Sequence, residues 1–151
     1  MSQWDAVLAA VTTALTGDAQ RGRELLLACW ADTTERDHAQ RCVLAHYLAD
    51  LESDLAREVD WDRTALDEHA HVGDGDLAAI GIPSARGLLA SLHLNLGDGL
   101  LRQGDVAAAR SHHVAGLAAC AALGDDGYAT MIRGGLERLG QRLDPEPDRT
   151  G

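Results

Sequence analysis

Apolar positions recur three and four apart along most of this chain. Trp4, Val7, Leu8, Val11 and Leu15 form the first such run, and Leu25, Leu26, Cys29 and Trp30 the second. Val43, Leu44, Tyr47, Leu48 and Leu51 form a third; Leu55, Val59, Ala65 and Leu66 form a fourth. This period lays one apolar stripe along each of a series of helices. Three more helices are predicted from Pro83-Ser84 to Gln103, from Val106 to Leu123 and from Tyr128 to Leu143. The punctuation agrees. Gly17-Asp18 and Gly104-Asp105 each pair a residue that tolerates the left-handed conformation with one that caps the next helix. Asp32-Thr33-Thr34-Glu35 offers caps for the third helix, Glu52-Ser53-Asp54 turns into the fourth, and Gly124-Asp125-Asp126-Gly127 precedes the seventh.

One stretch breaks the pattern. His71 to Pro83, HVGDGDLAAIGIP, is the longest non-periodic segment and carries three glycines and a proline. A loop of this length between packed helices is often functional. With His69 it brings His69, His71, Asp74 and Asp76 close in sequence, and imidazole and carboxylate are ligands for zinc or another transition metal. No HExxH or calcium-loop pattern accompanies them, so the plainer reading is a solvated polar loop. The final residues, DPEPDRTG from Asp144, read as a disordered polar tail behind a single helical domain over 1–143.

Within 92–117 the small residues are spaced with unusual regularity. Gly97, Leu100, Gly104, Ala109, His113 and Gly116 keep offsets at which two short helices cross closely, with Gly97 and Ala109 at the crossing. This segment resembles the tetratricopeptide repeat, a helix–turn–helix unit of about 34 residues. His113 departs from it, because the family usually places a large aromatic there. Ala10, Gly17, Gly22, Leu26 and Cys29 trace a degenerate first repeat, and Ala45 takes the slot of Gly97 in a second whose register is shifted by one residue. The expected architecture is therefore all-α: antiparallel helix hairpins stacked as a short array of about three repeats, with a C-terminal capping helix.

The resemblance implies a concave face lined by the first helix of each pair. Flanking Gly97 on that face are Leu94, Asp98, Leu101 and Arg102; flanking Ala45 are Cys42, His46, Ala49 and Asp50; the first helix offers Val7, Val11 and Ala14. Asn95 stands where peptide-binding members of the family place an asparagine against peptide backbone. A groove with an apolar end and an acidic, histidine-bearing middle follows. The candidate peptide-binding set is His46, Asp50, Leu94, Asn95, Asp98, Leu101 and Arg102. The lysines with which some members clamp a terminal carboxylate are missing.

Composition narrows the partner. The 151 residues carry a formal charge of -11, and every basic side chain is Arg. Such a surface repels nucleic-acid phosphates and anionic membranes and suits a basic protein or peptide. Aromatic residues make up only 3%, with no Phe, so Leu, Ala and Val must build the core. The Arg-only, Ala-rich usage is associated with GC-rich bacterial genomes. No basic N-terminal region precedes an apolar run, no run reaches membrane-spanning length, and Cys29, Cys42 and Cys120 form no CxxC pair. Reduced cysteines in a cytoplasmic protein are expected. No nucleophile motif, phosphate loop, metal signature or cofactor fingerprint is present. The first reading is a protein- or peptide-binding scaffold. The alternatives are a self-associating regulatory module that forms a homo-oligomer, and an acid–base or metal-dependent enzyme using His46, Asp50 and Asp98.

Overall fold

Aspartates and glycines set the helix ends. The computed structural model describes residues 2–145. Among them are seven α-helices and no strand: α1 (Gln3–Leu15), α2 (Ala19–Ala31), α3 (His38–Asp50), α4 (Leu55–His69), α5 (Arg86–Arg102), α6 (Val106–Ala119) and α7 (Gly127–Leu143). Ser2 and Asp5 make a capping box at the start of α1. Asp18, Asp54, Asp105 and Asp126 each accept a backbone N–H at the start of α2, α4, α6 and α7. Each such cap stabilises its helix by about 0.5–2 kcal/mol. Gly17 and Gly104 take positive φ, 111° and 85°, between the helices they separate. After α5 the Asp105 N–H reaches the Leu100 carbonyl and the Gly104 N–H reaches Leu101, the closing pattern of a Schellman turn.

The helices pair as hairpins α1/α2, α3/α4 and α5/α6, and α7 packs on α5 and α6. The stack matches the expected array of helical hairpins. Its crossings are close because side chains are missing. A Cβ on Gly22 would come within 2.4 Å of the Ala14 Cα, so α1 and α2 touch backbone to backbone. A Cβ on Gly97 would lie 3.0 Å from Leu139 and 3.5 Å from the Ala109 carbonyl, which places Gly97 at the predicted crossing with α6. Gly99, two residues further along α5, is equally confined. It is buried against α4, where an added Cβ would meet Val59 at 2.9 Å.

The N-terminal core gathers Val7, Leu26, Leu44, Leu48, Ala65 and Leu92, flanked by Trp30 and Trp61 in edge-to-face contact at 5.1 Å. Two smaller clusters, around Leu96, Leu100 and Leu139 and around Ile132 and Leu136, join α5, α6 and α7. Leu15 departs from its predicted inward place and is 70% exposed at the end of α1. Cys42 is buried and its thiol is pushed up to about 12 by burial and by Glu68, so it stays protonated and unreactive.

The polar residues of the non-periodic stretch are solvated, as expected, with His71, Asp74 and Asp76 exposed, but the stretch is anchored from beneath. Leu77 is fully buried in the N-terminal core, with Val72, Ile80 and Ile82 packed beside it. Gly75 and Gly81 turn the chain through positive φ, and a short 3-10 turn spans Ala78–Ile80. Asp76 accepts from the Gly73 N–H, Asp74 accepts from the Ser84 hydroxyl, and His69 Nε2–H donates to the Ala85 carbonyl at 2.7 Å. His71 stacks on His38, which is hydrogen-bonded to Glu68. The four candidate ligands therefore have structural partners or point apart. Among the described residues no group of three or more His, Cys, Asp or Glu side chains stands in metal-holding geometry. Of the expected tail, 144–151, residues 146–151 lie outside the described residues, while Asp144 caps the end of α7 and accepts from Arg110 at 2.7 Å.

Three glycine substitutions separate close crossings from idle glycines. Gly22→Ala is expected to lower the melting temperature, with an overpacking cost of about 1–3 kcal/mol, because α2 must lift off the Ala14 backbone. Gly99→Ala should also destabilise, through the stiff Val59. Gly134→Ala, which meets only the mobile tip of Arg138 at 3.3 Å, should stabilise by about 0.4–1 kcal/mol. Thermal unfolding of the three variants checks the packing register.

Candidate functional site

The helices α1 and α3 pack together, as do α5 and α7, while α3 and α5 stand further apart. The 70–85 segment lies at this division. It closes one side of a cavity of about 500 Å³. Val7, Leu8 and Val11 of α1, Val43, His46 and Tyr47 of α3, and Leu88 of α5 form the walls. Ile80 to Ser84 supply the loop side, and Leu123, Asp126 and Tyr128 close the end nearest α7. The lining is mainly aliphatic, with His46, Tyr47, Tyr128, Ser84 and Asp126 as its polar points, a composition typical of ligand-sized sites.

His46 joins this cavity to a polar stretch. Its Nδ1 lies 3.4 Å from the Asn95 amide nitrogen across the gap between α3 and α5. Asn95 then donates to an unprotonated Nδ1, which leaves the imidazole neutral with its proton on Nε2. Burial lowers the His46 pKa accordingly, against the pull of Asp50 one turn on. Beyond Asn95, Asp98 accepts from Arg102 Nε at 3.0 Å and from Arg142 Nη2 of α7 at 2.5 Å. Arg102 also reaches Glu58 of α4. A second, more open recess runs along Leu94, Asn95, Asp98, Gly135, Arg138 and Arg142.

The predicted set thus divides. His46 and Asn95 meet, Asp50 lies one turn from His46 at the exposed end of α3, and Asp98 and Arg102 form an ion pair. Leu94 is half-buried against Gly135, where an added Cβ would come within 2.6 Å of its Cδ2. Leu101 packs against the cluster of Leu96, Leu100 and Leu139. These two leucines seal helix contacts. The apolar surface of the site is the cavity instead. His112 is half-buried, and its Nδ1 lies 3.1 Å from His93 Nδ1. His113 donates to the Leu136 carbonyl, and its imidazole fits closely under Gly140, where a Cβ would come within 2.8 Å of Nε2, in place of the larger aromatic ring.

Sequence reasoning missed Asp62. It is 4% exposed on α4, facing Gly99. Among the described residues no hydrogen bond or ion pair is made to its carboxyl group. Burial, then Glu58 and Asp50, push its pKa up to about 8, with only partial relief from Arg102. Burial and Glu58 raise that of Asp50 as well, while His46 opposes them. A readable signal existed: Asp62 falls between Val59 and Leu66 in the apolar stripe of α4, where a charge has no place unless it is paired or used.

No known protein family matches the chain, and no curated protein or solved structure is significantly similar to it. Among the described residues no helix is long and apolar enough to cross a membrane.

The buried carboxyl sets a pH dependence. The folded Asp62 holds its proton up to about 8, against 3.8 for the free side chain. Its contribution is therefore full at low pH and is lost as pH rises toward 8, at up to about 1.4 kcal/mol per pH unit. Burial lowers the pKa of His93 and of His112, so the pair acts in the opposite direction, losing stability as pH falls below the usual histidine value. Denaturant unfolding at pH 6, 7 and 8 (roughly the window between these groups) should show stability falling with pH in the native chain. Asp62→Asn should flatten that fall and be the more stable protein at pH 8.

Proposed function

We propose that this chain is a protein- or peptide-binding scaffold of the tetratricopeptide kind, holding an extended peptide along its first helices. The supporting observation is the continuity of a 500 Å³ apolar cavity, through His46 and Asn95, with a carboxylate-rich stretch. The hairpin stack and the spacing in 92–117 support the same reading. The cavity takes an apolar side chain of the partner. Asn95, with its amide nitrogen given to His46, presents its carbonyl oxygen to a peptide N–H. Asp50 and the carboxylates beyond it favour an arginine or lysine near the apolar anchor. Affinity comes mainly from the anchor, because exposed ion pairs contribute about 0.2–1 kcal/mol each.

A self-associating module is the second reading. Val106, Val114 and Leu117 are 44%, 61% and 49% exposed on α6, outside the recess. An interface between copies through α6 would cover them. Sedimentation of the native chain and of Val114→Arg separates the two readings, since only self-association predicts a change in mass.

Selection of random displayed peptides on the purified protein tests the first reading. Enriched sequences should pair a Leu, Ile, Val or aromatic residue with a nearby Arg or Lys. Leu8→Arg, which places a charge at the cavity wall, and Asn95→Ala should each weaken the selected peptides by about tenfold or more. Arg57→Glu, exposed on α4, should bind normally. Peptides that bind the two recess variants as well as the native protein would remove the concave site.

A further inference from the structure

We propose that Asp62 is the seat of the partner's cationic side chain, a guanidinium in preference to an ammonium, entering between α3, α4 and α5. The inference rests on the peptide-binding reading for its partner but on the geometry of α4 for its place. A carboxyl group that is 96% withdrawn from solvent and has no protein partner is rare, because desolvation without compensation is costly. Among the described residues no fully sealed side-chain oxygen lacks a hydrogen bond. The Asp62 oxygens therefore keep a narrow opening.

Gly99 lets α5 approach α4 beside these oxygens. A Cβ there would strike Val59 at 2.9 Å, with Glu58 Oε2 at 3.8 Å and Asp62 Oδ2 at 3.9 Å next to it. Three further carboxylates are near enough to act on Asp62: Glu58 on α4, Asp50 at the end of α3, and Asp98 on α5. Two guanidinium groups answer them. Arg102 is engaged by Glu58 and Asp98, and Arg142 by Asp98, so neither is paired with Asp62. His46 on α3 is neutral. The cluster thus lacks positive charge, and the deficit is greatest at its most buried member.

A proton fills that place in the free protein. An arriving cation would displace it, because the ionised carboxylate is the form that pairs with guanidinium. The planar fork of a guanidinium suits adjoining carboxylates through two parallel hydrogen bonds, which an ammonium cannot make. A metal ion is a poorer occupant, since no three ligating groups converge in the required geometry among the described residues. Binding of the cation and release of the proton are linked, so affinity rises with pH up to about 8 and levels above it.

The small compound Nα-acetyl-arginine amide tests this without any peptide partner. Carbon-detected NMR follows each side-chain carboxyl through a pH titration, with the compound added to its solubility limit. Asp62 should titrate near 8 alone, and its midpoint should fall by a unit or more with the arginine compound. The uncharged citrulline analogue should leave it unmoved. Asp62→Asn, a neutral isostere whose fold the same spectra verify, should abolish the pH-dependent part of binding. An Asp62 that titrates in the ordinary carboxylate range, or one that ignores the arginine compound while Asp98 or Glu58 responds, overturns the proposal. Displayed peptides that bind at Leu8 and Asn95 while Asp62 remains unresponsive would retain the scaffold reading and remove only this seat.

Discussion

Close helix crossing is the constraint on which the structure depends. With no Phe and few other aromatics, the chain cannot fill wide gaps between helices with large rings. It brings the helices together instead. Gly22 lies on the Ala14 backbone, Gly97 faces Ala109 and Leu139, and Gly116 receives Leu136 of α7. Each mid-helix glycine costs about 1 kcal/mol relative to alanine in the isolated helix. The dispersion contacts of two helices at short range offset that cost, but only in the folded register. The same residues that weaken the individual helices therefore specify how they stack.

The stack opens into its apolar cavity where the periodic pattern lapses. Residues 70–85 return from the end of α4 by way of Leu77, whose burial among α1, α3 and α5 residues anchors the segment. The first helices α1 and α3 stay packed, as do α5 and α7, while the step between α3 and α5 widens. Cavity and loop are consequently one feature: without Ile80, Ile82 and Ser84 along its side, the recess would be an open surface.

The helices, their hairpin pairing and the Gly97–Ala109 crossing were legible in the sequence, because each is a local or near-local pattern. Period, cap and turn glycine recur within a few residues. Other features depend on partners distant in the chain. Leu77 follows Gly73-Asp74-Gly75-Asp76 and precedes Ala78, Ala79 and Ile80, an apolar run too short for any period to show which of its residues will be buried. Leu94 and Leu101 occupy groove-facing positions by helix phase alone. The arrival of α7 with Gly135 turns Leu94 into a packing contact, and Leu101 joins the cluster that Leu139 helps to form. Gly99, two residues from the predicted crossing, faces a different neighbour and is equally constrained. His46 and Asn95 came from the family resemblance, and their 3.4 Å approach across α3 and α5 is what the structure adds. Asp62 was visible as a charge in an apolar stripe, but its significance depends on the absence of a partner, which a sequence does not display.

The acidic stretch is not uniformly acidic once its arginines are placed. Arg102 and Arg142 neutralise Asp98 and Glu58 through pairs whose arginines are 43% and 48% exposed. Exposed pairs of this kind are worth about 0–1 kcal/mol, so they tie α4, α5 and α7 only loosely and can be exchanged at little cost. A partner's cation that replaced one of them would gain equally little. The buried carboxyl differs, because its ionised form has no partner and low dielectric would strengthen its attraction to a bound cation. A cation bound in such a recess would gain most at the buried acid without a partner, however many exposed acids line the surface.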